Sequence, residues 1–168
     1  MAGANPYQNQ YRQNQVLTAT PQQLVLMLYD RALRDLRQAK DAVDVEKGAD
    51  APSSNLMQQL EGSMAGDTKY VAESTKLLQH VEEILNELLL SLDADLPSEE
   101  GGSIAINLGQ LYDYYIIRVR EAVITKDTAI IDELSKAIGD LRETWAEAML
   151  KAKQEEKAAK TAAEEENV

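Results

Sequence analysis

The sequence predicts an all-α protein: an antiparallel four-helix bundle with a flexible N-terminal arm and a charged C-terminal tail. Three observations carry that expectation. Apolar residues recur at steps of three and four through four stretches, which is the period of an amphipathic helix and not of a strand. The chain has no Phe, one Trp and seven Tyr, so Leu, Ile, Val, Met and Ala must build the core. That set suits packed helices better than a sheet, where β-branched and aromatic side chains dominate. Turn chemistry separates the stretches, and short links force neighbouring helices antiparallel.

Residues 1–15 form the arm, rich in Asn and Gln with Gly3 and Pro6, and punctuated by Tyr7 and Tyr11. Low hydrophobicity predicts a segment disordered on its own. Composition leaves two readings of it open. It is either a solvated tail with incidental aromatics, or an arm whose two tyrosines, four apart, fold back onto an apolar groove.

The folded domain is predicted over residues 16–150. Thr20 supplies an N-cap, Pro21 the first helical position, and Gln23 the other half of a capping box. Val25, Leu28, Ala32, Leu36, Ala39 and Val43 then form an apolar face, which Leu24, Leu26, Met27 and Leu33 widen. A face that broad should bury against more than one neighbour. The first helix is predicted over residues 21–45, and a long loop or insert over residues 46–66 follows. Within that insert, Asn55 to Glu61 reads as a short helical turn, and Gly62-Ser63-Met64-Ala65-Gly66 as a second break.

Asp67 is predicted to cap a second long helix to about Leu92, with Val71, Leu78, Val81, Leu85, Leu88 and Leu92 on one face. A polar loop through Pro97 and Gly101-Gly102 precedes a third helix from about Ser103. That helix carries Ile104, Leu108, Leu111, Tyr115, Val119 and Ala122. Thr125-Lys126-Asp127 makes a very short link, with Asp127 as the next N-cap. The fourth helix offers Ile131, Leu134, Ile138, Leu141 and Trp145. Residues 151–168 are Ala, Glu and Lys, helix-prone but without an apolar stripe, and read as frayed helix or disorder.

A chain of 168 residues holds one domain with a real core. Seventeen basic residues against 29 acidic ones leave a net charge of −12. That balance argues against a nucleic-acid surface and against docking on anionic lipid. Without cysteine there are no disulfides, thiol catalysis or zinc–thiolate sites. No secretory signal and no bilayer-length apolar run stand in the chain, so the expected location is the cytoplasm.

Catalysis finds little support, and no cofactor or metal is expected. His80 is the one histidine, so neither a histidine pair for a metal nor a two-histidine relay can form. A di-iron bundle needs Glu-x-x-His on two helices, and Leu77 stands where that Glu would be. The alternative function is a histidine phosphotransfer-like signalling domain using His80. There Lys and Gly usually follow the histidine at the third and fourth positions. In this chain Glu82 and Glu83 follow instead, where positive charge would help an incoming phosphate.

Five blocks, in order, resemble the FliS family of flagellar export chaperones. They are Asn5-Pro6-Tyr7-Gln8 with Gln15-Val16; Thr18 to Asp30, reading TATPQQLVLMLYD; Ser91-Leu92-Asp93; Gly101-Gly102 through Ile104, Ala105, Asn107, Leu108, Leu111, Tyr112, Asp113 and Tyr114; and Leu141-Arg142 with Trp145. The resemblance implies a helical bundle in the bacterial cytoplasm. It also implies a partner, the disordered C-terminal segment of flagellin, held unpolymerised until delivery to the flagellar type III export gate. It implies no enzymatic activity.

The resemblance further implies a cargo surface of Leu24, Leu28 and Tyr29 on the first helix and Ile104, Asn107, Leu108, Leu111, Tyr112 and Tyr114 on the third. Tyr7 and Tyr11 would form a lid, with Gln15 and Val16 at its hinge. Spacing alone favours core for Leu28, Leu108 and Leu111. An amide at Asn107 needs a hydrogen-bond partner in the bundle or on the cargo. Tyr112 and Tyr114 cannot both face the core. Four features depart from the family pattern: Arg31 in place of a common Gly, Ser103 in place of a usual Glu, the long connection over residues 46–66, and the charged tail. A third reading, a structural bundle that self-associates, predicts homodimers that persist on dilution and ignore flagellin.

Overall fold

Thr20 and Gln23 close the predicted box. The Thr20 backbone N–H donates to Gln23 Oε1 at 2.9 Å, and the Gln23 N–H donates to Thr20 Oγ1 at 3.3 Å. From that start the computed structural model runs through helices α1 (Pro21–Ala49), α2 (Leu56–Leu90), α3 (Gly102–Thr125) and α4 (Thr128–Glu166). It describes residues 19–49, 56–92 and 102–166, with side chains over 19–45, 69–92 and 102–161. The arm residues Tyr7, Tyr11, Gln15 and Val16 lie outside the described residues. No strand occurs among the described residues. No helix there is long and apolar enough to cross a membrane.

Three helices run further than the sequence predicts. α1 passes the expected stop near Val45 and continues through Gly48 to Ala49. α2 passes without interruption through Gly62 and Gly66, so the break placed there does not occur and the insert over residues 46–66 is largely helical. An interior glycine costs a helix only about 1 kcal/mol relative to alanine, and flanking Leu, Met, Gln and Glu are strong helix formers. α4 continues to Glu166. Its Ala, Glu and Lys have high intrinsic propensity, and Lys160 pairs with Glu156 one turn away at 2.5 Å. Side chains 151–161 are all exposed, so this length of α4 packs on nothing.

The four helices close a ring in which α1 and α3 each pack against both α2 and α4. Three ion pairs and one hydrogen bond between helices show the directions. Lys40 meets Asp132 at 2.7 Å and Arg142 meets Asp30 at 2.9 Å, so numbering rises on α1 as it falls on α4. Arg120 with Glu82 (2.7 Å) and Lys126 with Thr75 (2.6 Å) show the same for α3 and α2. The link between α3 and α4 is as short as predicted. Lys126 takes a left-handed φ of 53° at the end of α3. Asp127 Oδ1 accepts the Ala129 N–H at 2.9 Å and caps α4.

Tyr29, Ala32, Leu36, Ala39 and Val43 of α1 meet Leu78, Val81, Leu85 and Leu88 of α2 in the core. α3 adds Tyr112, Tyr115, Ile116, Val119 and Ala122, and α4 adds Ile130, Ile131, Leu134 and Ile138. Each fully buried Leu or Ile contributes about 1.5–3 kcal/mol from removal of its surface from water.

Candidate functional site

The core pattern outruns the core. Val25, Leu28, Leu108, Leu141 and Trp145 continue the apolar faces of their helices and Leu92 follows the end of α2, yet all six remain only partly buried. They lie at one end of the bundle, where α1 begins, α2 ends, and α3 is in its first turns. There the ring opens into a groove with a volume of about 460 Å³. Leu24, Val25 and Leu28 line it from α1, Leu88 from α2 and Leu92 from just past its end, and Leu108 and Tyr112 from α3. Its polar edge is Gln22, Glu87 and Ser91.

Trp145 reaches this groove from α4, and its indole Nε1 donates to the Gln22 carbonyl at 3.0 Å. The bond pins α4 to the first turn of α1 and leaves the ring face as part of the groove lining. Arg142, three residues earlier, donates from Nε to Asp30 at 2.9 Å and holds the same seam.

The nine residues expected to meet cargo fall into three groups. Leu24, Leu28, Leu108 and Tyr112 come together in the groove. Spacing had favoured core for Leu28 and Leu108, but they face the cleft. The core face and the groove face are one helix face at different heights along the bundle. Leu111 packs against the core beside the groove without lining it. Tyr29 is as buried as Tyr112 but does not line the groove, so it lies behind the wall. Its hydroxyl is hydrogen-bonded to that of Tyr112.

Ile104 and Tyr114 are exposed, at 64% and 48%, and Asn107 is exposed as well, so solvent can serve its amide. Tyr112 is buried while Tyr114 is not, as the two-residue spacing requires. The Tyr114 hydroxyl is committed to Glu133 Oε1 at 2.9 Å. Arg118 reaches the same carboxylate at 2.6 Å, and Arg118 first, then Tyr114, hold the Glu133 carboxyl below the usual range. The residues that sequence reasoning missed are Val25, Leu88, Leu92 and Trp145. Their signal was ordinary core periodicity, which does not say where along a helix the core stops.

Burial pushes the Tyr29 phenol up strongly, and its bond to Tyr112 adds to the shift. Burial also raises Tyr112, with the bond from Tyr29 acting in the opposite sense.

On the far side of α1, Asp35 is buried with its side chain 2% exposed. Its carboxylate accepts from Arg31 Nε at 3.0 Å and from His80 Nδ1 at 2.5 Å. Arg31 thereby has a place in this chain as a partner for a buried charge. His80 sits in a shallow pocket with Lys76 and with Glu73 and Glu83, so acidic groups share the rim with the cations. Among the described residues no cluster of His, Cys, Asp and Glu could hold a metal ion.

Fold and groove together define the class: an antiparallel helical bundle whose core opens to the surface as an apolar cleft. The chain belongs to the FliS family, since the family model described as flagellar protein FliS matches residues 3–153. It is 28% identical over 149 residues to the flagellar secretion chaperone FliS of Bacillus subtilis, covering 89% of this chain and 90% of that protein. The flagellar secretion chaperone FliS of Salmonella typhimurium is 29% identical over 144 residues, 86% of this chain and 87% of its own length. Flagellar secretion chaperone FliSB of Pseudomonas aeruginosa is 28% identical over 145 residues, 86% and 94% of the two chains. The relatives' names make this a family of flagellar secretion chaperones.

Proposed function

We propose that the protein is a cytoplasmic chaperone of flagellar export. It binds the C-terminal segment of flagellin, keeps that segment from polymerising, and presents it to the flagellar type III export gate. One observation carries the reading: the bundle leaves its core open at one end, as a groove of apolar side chains with a polar edge. Such a groove accepts the apolar face of an incoming helix. A disordered segment that folds as it binds gives up several kcal/mol of contact energy to ordering. The complex is then tight enough to block self-assembly and weak enough to release. The relatives, all named flagellar secretion chaperones, support a role in flagellar secretion.

Leu24, Leu28, Leu108 and Tyr112 are the proposed anchors. Ile104, Asn107, Leu111 and Tyr114 extend the contact along α3, and Tyr29 supports Tyr112 from behind. α1 begins at the groove, with Pro21 and Gln22 in its lining, and the arm precedes α1 in the sequence. Tyr7 and Tyr11, hinged at Gln15 and Val16, are its proposed lid contacts.

Calorimetric titration with a peptide covering the flagellin C-terminal segment tests the reading. One-to-one binding, a large negative heat-capacity change and a gain of peptide helix are expected. Absence of binding to the full chain and to the chain lacking residues 1–15 would overturn it. For the lid, removal of residues 1–15 should alter affinity while leaving the bundle folded. Unchanged affinity removes the lid.

A further inference from the structure

Glu87 is the one charged side chain in the lining of the groove, and no Lys, Arg or His stands there with it. It is exposed, and among the described residues its carboxylate makes no ion pair or hydrogen bond. Exposed carboxylates without partners are common, and what sets Glu87 apart is its placement. It lies in the last turn of α2, which ends at Leu90 and has no basic residue in that turn. The C-terminal turn of a helix carries partial negative charge, which favours cations and works against a carboxylate. Glu83 stands one turn earlier, at the spacing where like charges repel along a helix. The chain as a whole carries −12. Every one of these local terms opposes a negative charge at this position. A residue that breaks local rules in an otherwise consistent helix points to function.

The cations of the neighbouring helices have other partners. Arg31 is paired with Asp35, Arg120 with Glu82 and Arg142 with Asp30. A cation for Glu87 therefore arrives with whatever fills the groove. An occupant also covers Leu88 and Leu92 beside the carboxylate and removes water from that side. An ion pair formed there is screened less than one on open surface. The charge has a defined side, because Glu87 belongs to α2 while the opposite border is the Trp145 ring of α4.

We infer that Glu87 is a specificity-determining residue: its carboxylate pairs with a Lys or Arg of the segment that occupies the groove. This rests on the groove being the cargo site. It adds that the groove selects for more than apolar surface. The occupant carries its cation at the border of its apolar face, on the side that meets α2, and this fixes how the segment lies. A segment with Asp or Glu at that border is repelled, so one residue both attracts the right occupant and rejects a wrong one. The free chain keeps an unfavourable charge that the bound segment relieves.

The test uses the full chain and the flagellin C-terminal peptide. Glu87→Gln keeps the shape of the side chain and should bind the peptide about fivefold more weakly at low salt. The difference should shrink to within about twofold in high salt, where charges are screened. In the free chain the same change should raise the thermal midpoint by about 1–3 °C, because the helix end and Glu83 disfavour the charge. A lowered midpoint would make Glu87 a structural residue and overturn the inference. Each Lys and Arg of the peptide is then replaced by Gln. One of these changes should weaken binding to the unaltered chain and cause no further loss with Glu87→Gln, as a coupled pair requires. The arm supplies a control, since Arg12 is the one charged side chain in residues 1–18. Coupling of Glu87 to Arg12→Gln and to no peptide residue would make the arm its partner and overturn the inference. Leu108→Ala separates the two layers. If it weakens binding while Glu87→Gln binds normally at low salt, the groove stands and this inference is overturned. If neither change matters, the groove is not the cargo site and both readings fall.

Discussion

Leu36 and Leu28 are eight residues apart on one face of α1, and the structure gives them different work. Leu36 is fully buried, whereas Leu28 is partly buried and lines the groove. Leu36→Ala should destabilise the fold by about 2–5 kcal/mol in urea denaturation, through lost transfer energy and the cavity left behind. Leu28→Ala should cost about 1 kcal/mol or less of stability, because its site is already open to water, and should weaken peptide binding instead. Equal losses of stability would place Leu28 in the core. Tyr29 gives a second test at this scale. Its buried phenol holds its proton above the ordinary value of 10.0, where the unfolded chain has released it. The folded state then binds more protons than the unfolded one, so stability is full below that pH and falls as pH rises past it. Tyr29→Phe should flatten this alkaline loss in denaturation curves recorded from pH 9 upward. An unchanged slope would mean that Tyr29 is not the group responsible.

Local signals in the sequence translated directly into helices. The Thr20–Gln23 box and the Asp127 cap were legible because each is settled within four residues. The glycines misled for the opposite reason. Gly62 and Gly66 carry turn propensity, but a helix absorbs each for about 1 kcal/mol when its neighbours favour continuing. Gly139 shows the same cost from the other side. A methyl group built there meets no atom within 4 Å. Gly139→Ala should therefore raise stability by about 0.5–1 kcal/mol, read as an upward shift of the thermal midpoint. A lower midpoint would reveal a close contact at that helix position. The end of α4 gives a complementary test. Side chains 151–161 are exposed along its length. Removing residues 151–168 should lower total helix content while leaving the thermal midpoint within about 2 °C, since little buried surface is lost. A large drop in midpoint would mean that this stretch stabilises the bundle.

At the scale of the whole molecule, the fold class was plain from periodicity, and the site was only half legible. Leu24, Leu28, Leu108 and Tyr112 were named as cargo contacts and converge in the groove. Tyr29 was named with them and turned inward, because one residue of rotation on a helix separates wall from interior. Trp145 was read as core and reaches the groove edge, a fact fixed by how α4 lies on α1 and by its bond to Gln22. Periodicity reports which face of a helix is apolar. It does not report the height at which four such faces stop closing on one another, and that height defines the site.

Trp145 makes the central claim directly measurable. It is the one tryptophan in the chain and it borders the groove. Its emission should shift to the blue as a tryptophan-free flagellin C-terminal peptide is added, saturate at one peptide per chain, and stay unshifted in Leu108→Asp at the same peptide concentrations. Peptide binding confirmed by calorimetry with no change in Trp145 emission would put the cargo elsewhere on the bundle and contradict the account.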